Sequence, residues 1–220
     1  MAKISKMKFS IAILLLLVSF TGYCTVAYFQ QFTFNEDKAL QRWKKMILNG
    51  EVTYALMKSG SDGFIQALSE KTSSAIYYRV GYNLAKYPTL SWKWKVLEFP
   101  DISRAKTLQE KDDYAARVYV IFPFLSFSSS KFLEYVWSEN LPVGTILDSP
   151  FGKNIKMIVA RSGKMQNEDW VVESRNVYED YKKVFGAKPR GVGAIALMCD
   201  ADGTKTQAKA LFDEIVIGKE

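Results

Sequence analysis

The chain has 220 residues, 48% of them apolar, 14% aromatic and 24% charged, with a formal charge of +7. This is the composition of a globular domain, and it excludes a disordered tail, a collagen-like repeat and a polytopic membrane protein. The histidine count of 0 removes Ser-His-Asp and Cys-His nucleophile pairs, and with them zinc or copper sites that need imidazole.

Lys3, Lys6 and Lys8 precede an apolar run over residues 9–20, and its centre, Ile11-Ala12-Ile13-Leu14-Leu15-Leu16-Leu17-Val18, has no polar side chain. A basic start, a short apolar centre and a small-residue exit are the layout of a secretory signal. Thr25-Val26-Ala27 places cleavage after Ala27, with Cys24 as an alternative point. The expected organisation is a signal peptide over residues 1–27 and one domain over residues 28–220, delivered to the periplasm or secreted. The competing reading is an uncleaved inner-membrane anchor, because residues 9–29 carry no charge and about 20 apolar residues span a bilayer. Loss of residues 1–27 removes three lysines and no acid, which lowers the formal charge from +7 to +4. A charge of that size points away from a nucleic-acid partner. Only Cys199 would remain, so a packed core and no internal disulfide must hold the fold.

In the rest of the chain the periodicity is mostly two. Residues 35–48 form the exception at the start, with Leu40, Trp43, Lys44 and Ile47 at helical spacing and Asn49-Gly50 as a stop. Strands are then predicted over residues 53–57, 74–80, 89–99, 114–124, 131–137 and 155–161. They continue over residues 170–176, 192–198 and 211–217. Asp62-Gly63, Pro142-Val143-Gly144, Ser162-Gly163 and Asp202-Gly203 mark turns. A second helix is predicted from Asn176 as cap, with Glu179 three residues on, Tyr181 and Phe185 on one face, and Gly186 as terminator. Some eight or nine strands with one or two short helices read as an all-β protein, an antiparallel β-sandwich or jelly roll.

Alternate side chains of a strand point to opposite faces. Ala116, Val118, Val120 and Phe122 therefore suit a core, and so do Trp92 and Trp94. The opposite parity holds Lys93, Lys95, Arg117, Tyr119 and Glu134. Over residues 170–176 it holds Glu173 and Arg175. One reading is a wet sheet face with cross-strand ion pairs. The other is a concave groove where Lys93, Lys95, Arg117, Tyr119, Glu134, Glu173 and Arg175 converge on a saccharide. Arginine forks and carboxylates would bond hydroxyls there, and the Tyr119 ring would stack. Asp112-Asp113 reads as a turn. Asp200-Ala201-Asp202-Gly203-Thr204 reads as an Asp-Gly turn or as oxygen ligands for calcium from Asp200 and Asp202, without the full helix-loop-helix calcium pattern.

The chain resembles the bacterial exported proteins grouped as domain of unknown function 3047. The matching segments are Ser91-Trp92-Lys93-Trp94-Lys95-Val96, Asp112-Asp113-Tyr114-Ala115-Ala116-Arg117-Val118-Tyr119-Val120-Ile121-Phe122 and Tyr135-Val136-Trp137-Ser138. Further matches are Arg175-Asn176-Val177-Tyr178-Glu179-Asp180-Tyr181 with Phe185-Gly186, and Ala194-Ile195-Ala196-Leu197-Met198 with Asp200, Asp202 and Thr204. The resemblance implies an exported β-sandwich of the galactose-binding or jelly-roll kind, and no reaction. Lys111, Cys199 and Gly203 depart from the family pattern, where glycine, threonine and asparagine are expected. The expected function is a non-catalytic module that recognises a saccharide or another polar envelope component. The alternative is a jelly-roll glycoside-cleaving enzyme with Glu134 and Glu173 as its carboxylate pair.

Overall fold

The computed structural model describes residues 28–126, 128–165 and 169–219. The expected signal or anchor lies outside the described residues, except that Tyr28 and Phe29 sit in the first strand. Thirteen strands and one α-helix are seen among the described residues. In chain order the strands are β1 (Tyr28–Phe32), β2 (Lys44–Asn49), β3 (Thr53–Ser59), β4 (Asp62–Glu70) and β5 (Ser73–Tyr82). β6 (Thr89–Glu98), β7 (Ala116–Phe122), β8 (Lys131–Ser138), β9 (Ile146–Ser149) and β10 (Gly152–Ser162) follow. β11 (Val171–Asn176), helix α1 (Val177–Phe185), β12 (Val192–Asp200) and β13 (Gln207–Gly218) complete the fold.

The strands form two sheets packed face to face. The first runs β11-β6-β13-β4-β3, with β1 also on β13, and the second runs β2-β5-β12-β7-β8-β10-β9. The expected β-sandwich is therefore present. Among the described residues all pairings are antiparallel but one, since β10 runs parallel to β8. The core between the sheets is aromatic. Trp92 and Trp94 are buried as predicted and stand edge to face at 5.2 Å, and their neighbours Tyr135 and Trp137 come from the opposite sheet. Large rings fill the width of a sandwich with little side-chain entropy lost.

Helix α1 forms where its caps predict. The Asn176 side chain accepts from the Glu179 N–H, and Gly186 closes the helix in the left-handed region at φ 64°. Val177 and Tyr181 dip into the core, with the Tyr181 ring 4.6 Å from Phe122.

The helix expected over residues 35–48 is absent. Its first half is a series of turns, with Ala39, Gln41 and Trp43 N–H groups bonded three residues back, and its second half is β2 on β5. Trp43 is held by aromatic packing, with ring centroids 5.5 Å from Phe32 and 5.7 Å from Tyr78. Those tertiary contacts outweigh the weak helical preference of the segment. Strand β4 was not predicted either. Its inward positions are Gly63, Ile65, Ala67 and Ser69, so small residues mask the alternation. Gly63 lies so close to the next segment that a Cβ would meet the Phe34 carbonyl oxygen at 2.0 Å.

Candidate functional site

Strand β7 lies inside the second sheet, between β12 and β8. Its even positions Ala116, Val118, Val120 and Phe122 are buried between the sheets. Arg117, Tyr119 and Ile121 therefore emerge on the outer face of that sheet. Pairing brings Arg117 beside Met198 of β12 and Val136 of β8, and Tyr119 beside Ala196 and Glu134.

Arg117 is only 2% exposed, and acceptors surround its guanidinium. Nε and Nη2 donate to the two oxygens of Asp200 at 3.3 and 2.7 Å. Nη1 donates to Glu134 Oε2 at 3.1 Å and faces Asp112 Oδ2 at 3.5 Å, while Nη2 also donates to the Asp112 carbonyl. The Tyr114 ring lies 4.8 Å from the guanidinium carbon. These contacts use the full fork, so Arg117 organises its neighbours rather than offering a free donor.

The loops at the strand ends are tied into this cluster. Asp113 accepts from the Gly203 N–H at 3.1 Å and from the Thr204 N–H and hydroxyl at 2.7 Å each. Asp200 also accepts from the Tyr114 N–H at 2.8 Å, and Asp202 accepts from the Asn49 amide at 2.8 Å. Asp112 and Asp113 thus do more than form a turn, since they clamp the loop before β7 to the loop after β12. Lys111 and Gly203, two of the three departures from the family pattern, belong to these touching loops. A Cβ on Gly203 would meet the Glu110 Cα at 2.7 Å.

Beside the cluster a cavity of about 590 Å³ opens along the outer face of the second sheet. Its floor is apolar and aromatic, with Tyr77, Tyr119, Ile121, Phe132 and Met198. Met46 and Leu48 of β2 and Phe151 near β10 wall it, and Asp112, Asp113, Asp200 and Asp202 close one end.

Burial governs the electrostatics. Desolvation raises the Glu134 carboxyl to about 7 against the pull of Arg117. It raises Asp112 and Asp200 for the same reason, again opposed by Arg117. Tyr114 is pushed up to about 12, and Tyr119 is pushed well above the usual phenol range, chiefly by burial. For Arg117 desolvation pulls downward, but Asp112, Asp200 and Glu134 outweigh it and keep the guanidinium charged. Cys199 is a buried free thiol whose pKa burial raises, so it is no nucleophile.

Three residues expected in a groove meet here: Arg117, Tyr119 and Glu134. The other four do not. Lys93 and Lys95 point outward from β6, which belongs to the first sheet, and Lys93 pairs with Glu214 at 2.6 Å. Glu173 and Arg175 lie opposite Trp92 and Leu90, so they face inward at the sheet edge. Glu173 accepts from Arg161 Nε of the opposing sheet at 2.8 Å. Arg175 grips Asp180 of α1 through Nε and Nη2 at 2.9 and 2.8 Å, and Asp180 also accepts from the Tyr135 hydroxyl. The expected convergence fails because parity assigns a face within a strand, whereas strand pairing assigns the sheet. The Glu134–Glu173 carboxylate pair fails with it: the two occupy different sheets, and each is ion-paired with an arginine.

Calcium ligands were expected from Asp200 and Asp202. Carboxylate oxygens of Asp113, Asp200 and Asp202 lie within 4.8 Å of one another. N–H and hydroxyl donors already hold Asp113, and N–H donors hold Asp200, which accounts for their placement without an ion. Sequence reasoning missed Tyr77, Phe132 and Met198 in the cavity. Ala75 and Tyr77 do share a parity in their strand, which was the available signal.

The fold is a two-sheet β-sandwich with a cavity on the outer face of one sheet. The chain belongs to the family described as "Protein of unknown function (DUF3047)", whose model matches residues 41–216. No curated protein matches it. Among solved structures it is similar to the family 30 carbohydrate-binding module of cellulosomal cellulase Cel9D-Cel44B of Clostridium thermocellum. There the identity is 10% and the TM-score 0.47, with 87% of this chain and 99% of that chain covered. It is also similar to the family 11 carbohydrate-binding module of Lic26A-Cel5E of the same organism, at 9% identity and TM-score 0.45, covering 86% and 95%. The xyloglucanase domain of NopAA from Sinorhizobium fredii is similar at 14% identity and TM-score 0.43, covering 80% and 93%.

Proposed function

We propose that this protein is an exported, non-catalytic β-sandwich that binds a saccharide in the cavity on the outer face of its second sheet. The observation that carries the reading is the cavity itself. It joins the rings of Tyr77, Tyr119 and Phe132 to a carboxylate-lined end within about 590 Å³. Sugars present apolar C–H faces that rings cover, and hydroxyl edges that carboxylates accept from. The size falls in the range of ligand cavities. Non-catalytic binding is favoured because the carboxylates are tied to arginine and to backbone N–H groups, and the one expected acid pair does not assemble. Export rests on the basic and apolar start of the chain, with residues 1–27 as the removed signal.

Isothermal titration against a panel of soluble cell-wall polysaccharides and oligosaccharides tests the binding. At least one polymer should bind the wild type, and Tyr119→Ala should weaken it about tenfold or more. Wild type that binds nothing in the panel, or Tyr119→Ala that binds equally well, defeats the reading. The N-terminal mass of protein recovered from the expressing bacterium tests removal of residues 1–27.

A further inference from the structure

The cavity has an uneven charge. Glu110, Asp112, Asp113, Glu134, Asp200 and Asp202 line it, against Arg117 and Lys205. Four of these acids, Asp112, Asp113, Glu134 and Asp200, are at most 5% exposed. The buried Arg117 faces three of them and uses its fork in doing so. Lys205 is exposed at the rim.

One oxygen of the cluster is left over. Asp112 is 5% exposed and directs Oδ2 toward Arg117, yet its Oδ1 is buried with no hydrogen-bond partner. Desolvation and the like charges of Asp113 and Asp202 raise the Asp112 carboxyl. An unpaired buried carboxylate oxygen is costly, and the structure offers it no donor.

Resting on the saccharide reading above, we propose that the ligand is cationic: an amino sugar whose free ammonium sits at the acid end, with its ring over Tyr119 and Phe132. An ammonium brings three N–H donors and a positive charge to a place where acids outnumber cations and one buried carboxylate oxygen has no donor. The apolar floor provides cover for the ring and little else to hydrogen-bond. An N-acetylated sugar would bring one amide N–H and no charge, and would leave the imbalance in place.

The test titrates the full chain with three β-1,4-linked tetramers, those of glucosamine, N-acetylglucosamine and glucose, at a pH where the amines are protonated. Each titration is run with chelator and again with calcium. The glucosamine tetramer should bind about tenfold or more tighter than the other two, with or without calcium. Asp202→Asn removes a charge from a half-buried residue and keeps its acceptor for Asn49, so the ratio of glucosamine-tetramer to glucose-tetramer affinity should fall about tenfold. Equal affinity for all three overturns the charge inference and leaves the saccharide reading standing. Binding of the uncharged tetramers that appears only with calcium also overturns it, because the acid end would then hold a metal. Failure of all three under both conditions overturns the amino-sugar inference, and the saccharide reading falls with it only if the wider polysaccharide panel also fails to bind.

Discussion

Replacing Arg117 with methionine removes the only buried cation of the cluster and keeps most of its volume. The magnitude follows from the partners. Asp112, Glu134 and Asp200 are 5%, 2% and 3% exposed, and each faces the guanidinium within 3.5 Å. Without it, Asp200 keeps the Tyr114 N–H, while Glu134 loses its arginine partner. Breaking a buried ion pair by deleting one partner costs about 3–5 kcal/mol, which in a domain of this size is a fall in Tm of about 6–20 °C. The sign with pH is fixed by linkage. All three carboxyls are raised above their ordinary values even beside Arg117, and its loss raises them further. A raised acid contributes stability that is full below its unfolded pKa and disappears as pH climbs through its folded pKa. The deficit of Arg117→Met relative to wild type should therefore be small near about pH 4 and largest above about pH 7. Urea unfolding followed by the fluorescence of the buried Trp92, Trp94 and Trp137 measures it across that range. A deficit below about 1 kcal/mol at neutral pH, or one that stays constant with pH, would show that the cluster is not the buried charge network described.

Glu134→Gln should flatten the dependence of stability on pH between about 4.5 and 7, because the wild-type carboxyl titrates at about 7 when folded and loses stability as pH rises across that window. The variant should gain up to about 3 kcal/mol on wild type between those limits in urea unfolding, and parallel curves would remove the assignment. Gly203→Ala should lower stability by about 1–3 kcal/mol in a thermal melt. Its Cβ would press on the Glu110 backbone at 2.7 and 2.8 Å, whereas Gly81→Ala, with open space around it, should cost nothing. Equal melting of the two variants would mean that the loops do not touch as described.

The legible parts of the fold were those with a local cause. Helix α1 starts at a capping Asn176 and stops at Gly186, and both caps act within one turn of the chain. Strand parity on β6, β7 and β8 was legible because side-chain direction alternates residue by residue, although β8 is buried on both faces. Residues 35–48 misled because helical spacing of Leu40, Trp43 and Ile47 is also produced by a turn followed by a strand. The pairing of β2 with β5 decided between them. In the site, Arg117, Tyr119 and Glu134 were found because their strands are neighbours in sequence and in the sheet. Asp200 enters from 83 residues away as the main partner of Arg117, and nothing near Arg117 in the chain announces it.

The sequence by itself therefore determined the two-sheet class, the aromatic core and which side chains leave that core, since alternation and capping are properties of adjacent residues. Only the tertiary structure decided which strands share a sheet. That choice put Arg117 and Glu134 on one outer face, Lys93 and Lys95 on the other, and Glu173 and Arg175 in between. It is set by packing between segments far apart in the chain, and strand periodicity carries no record of it.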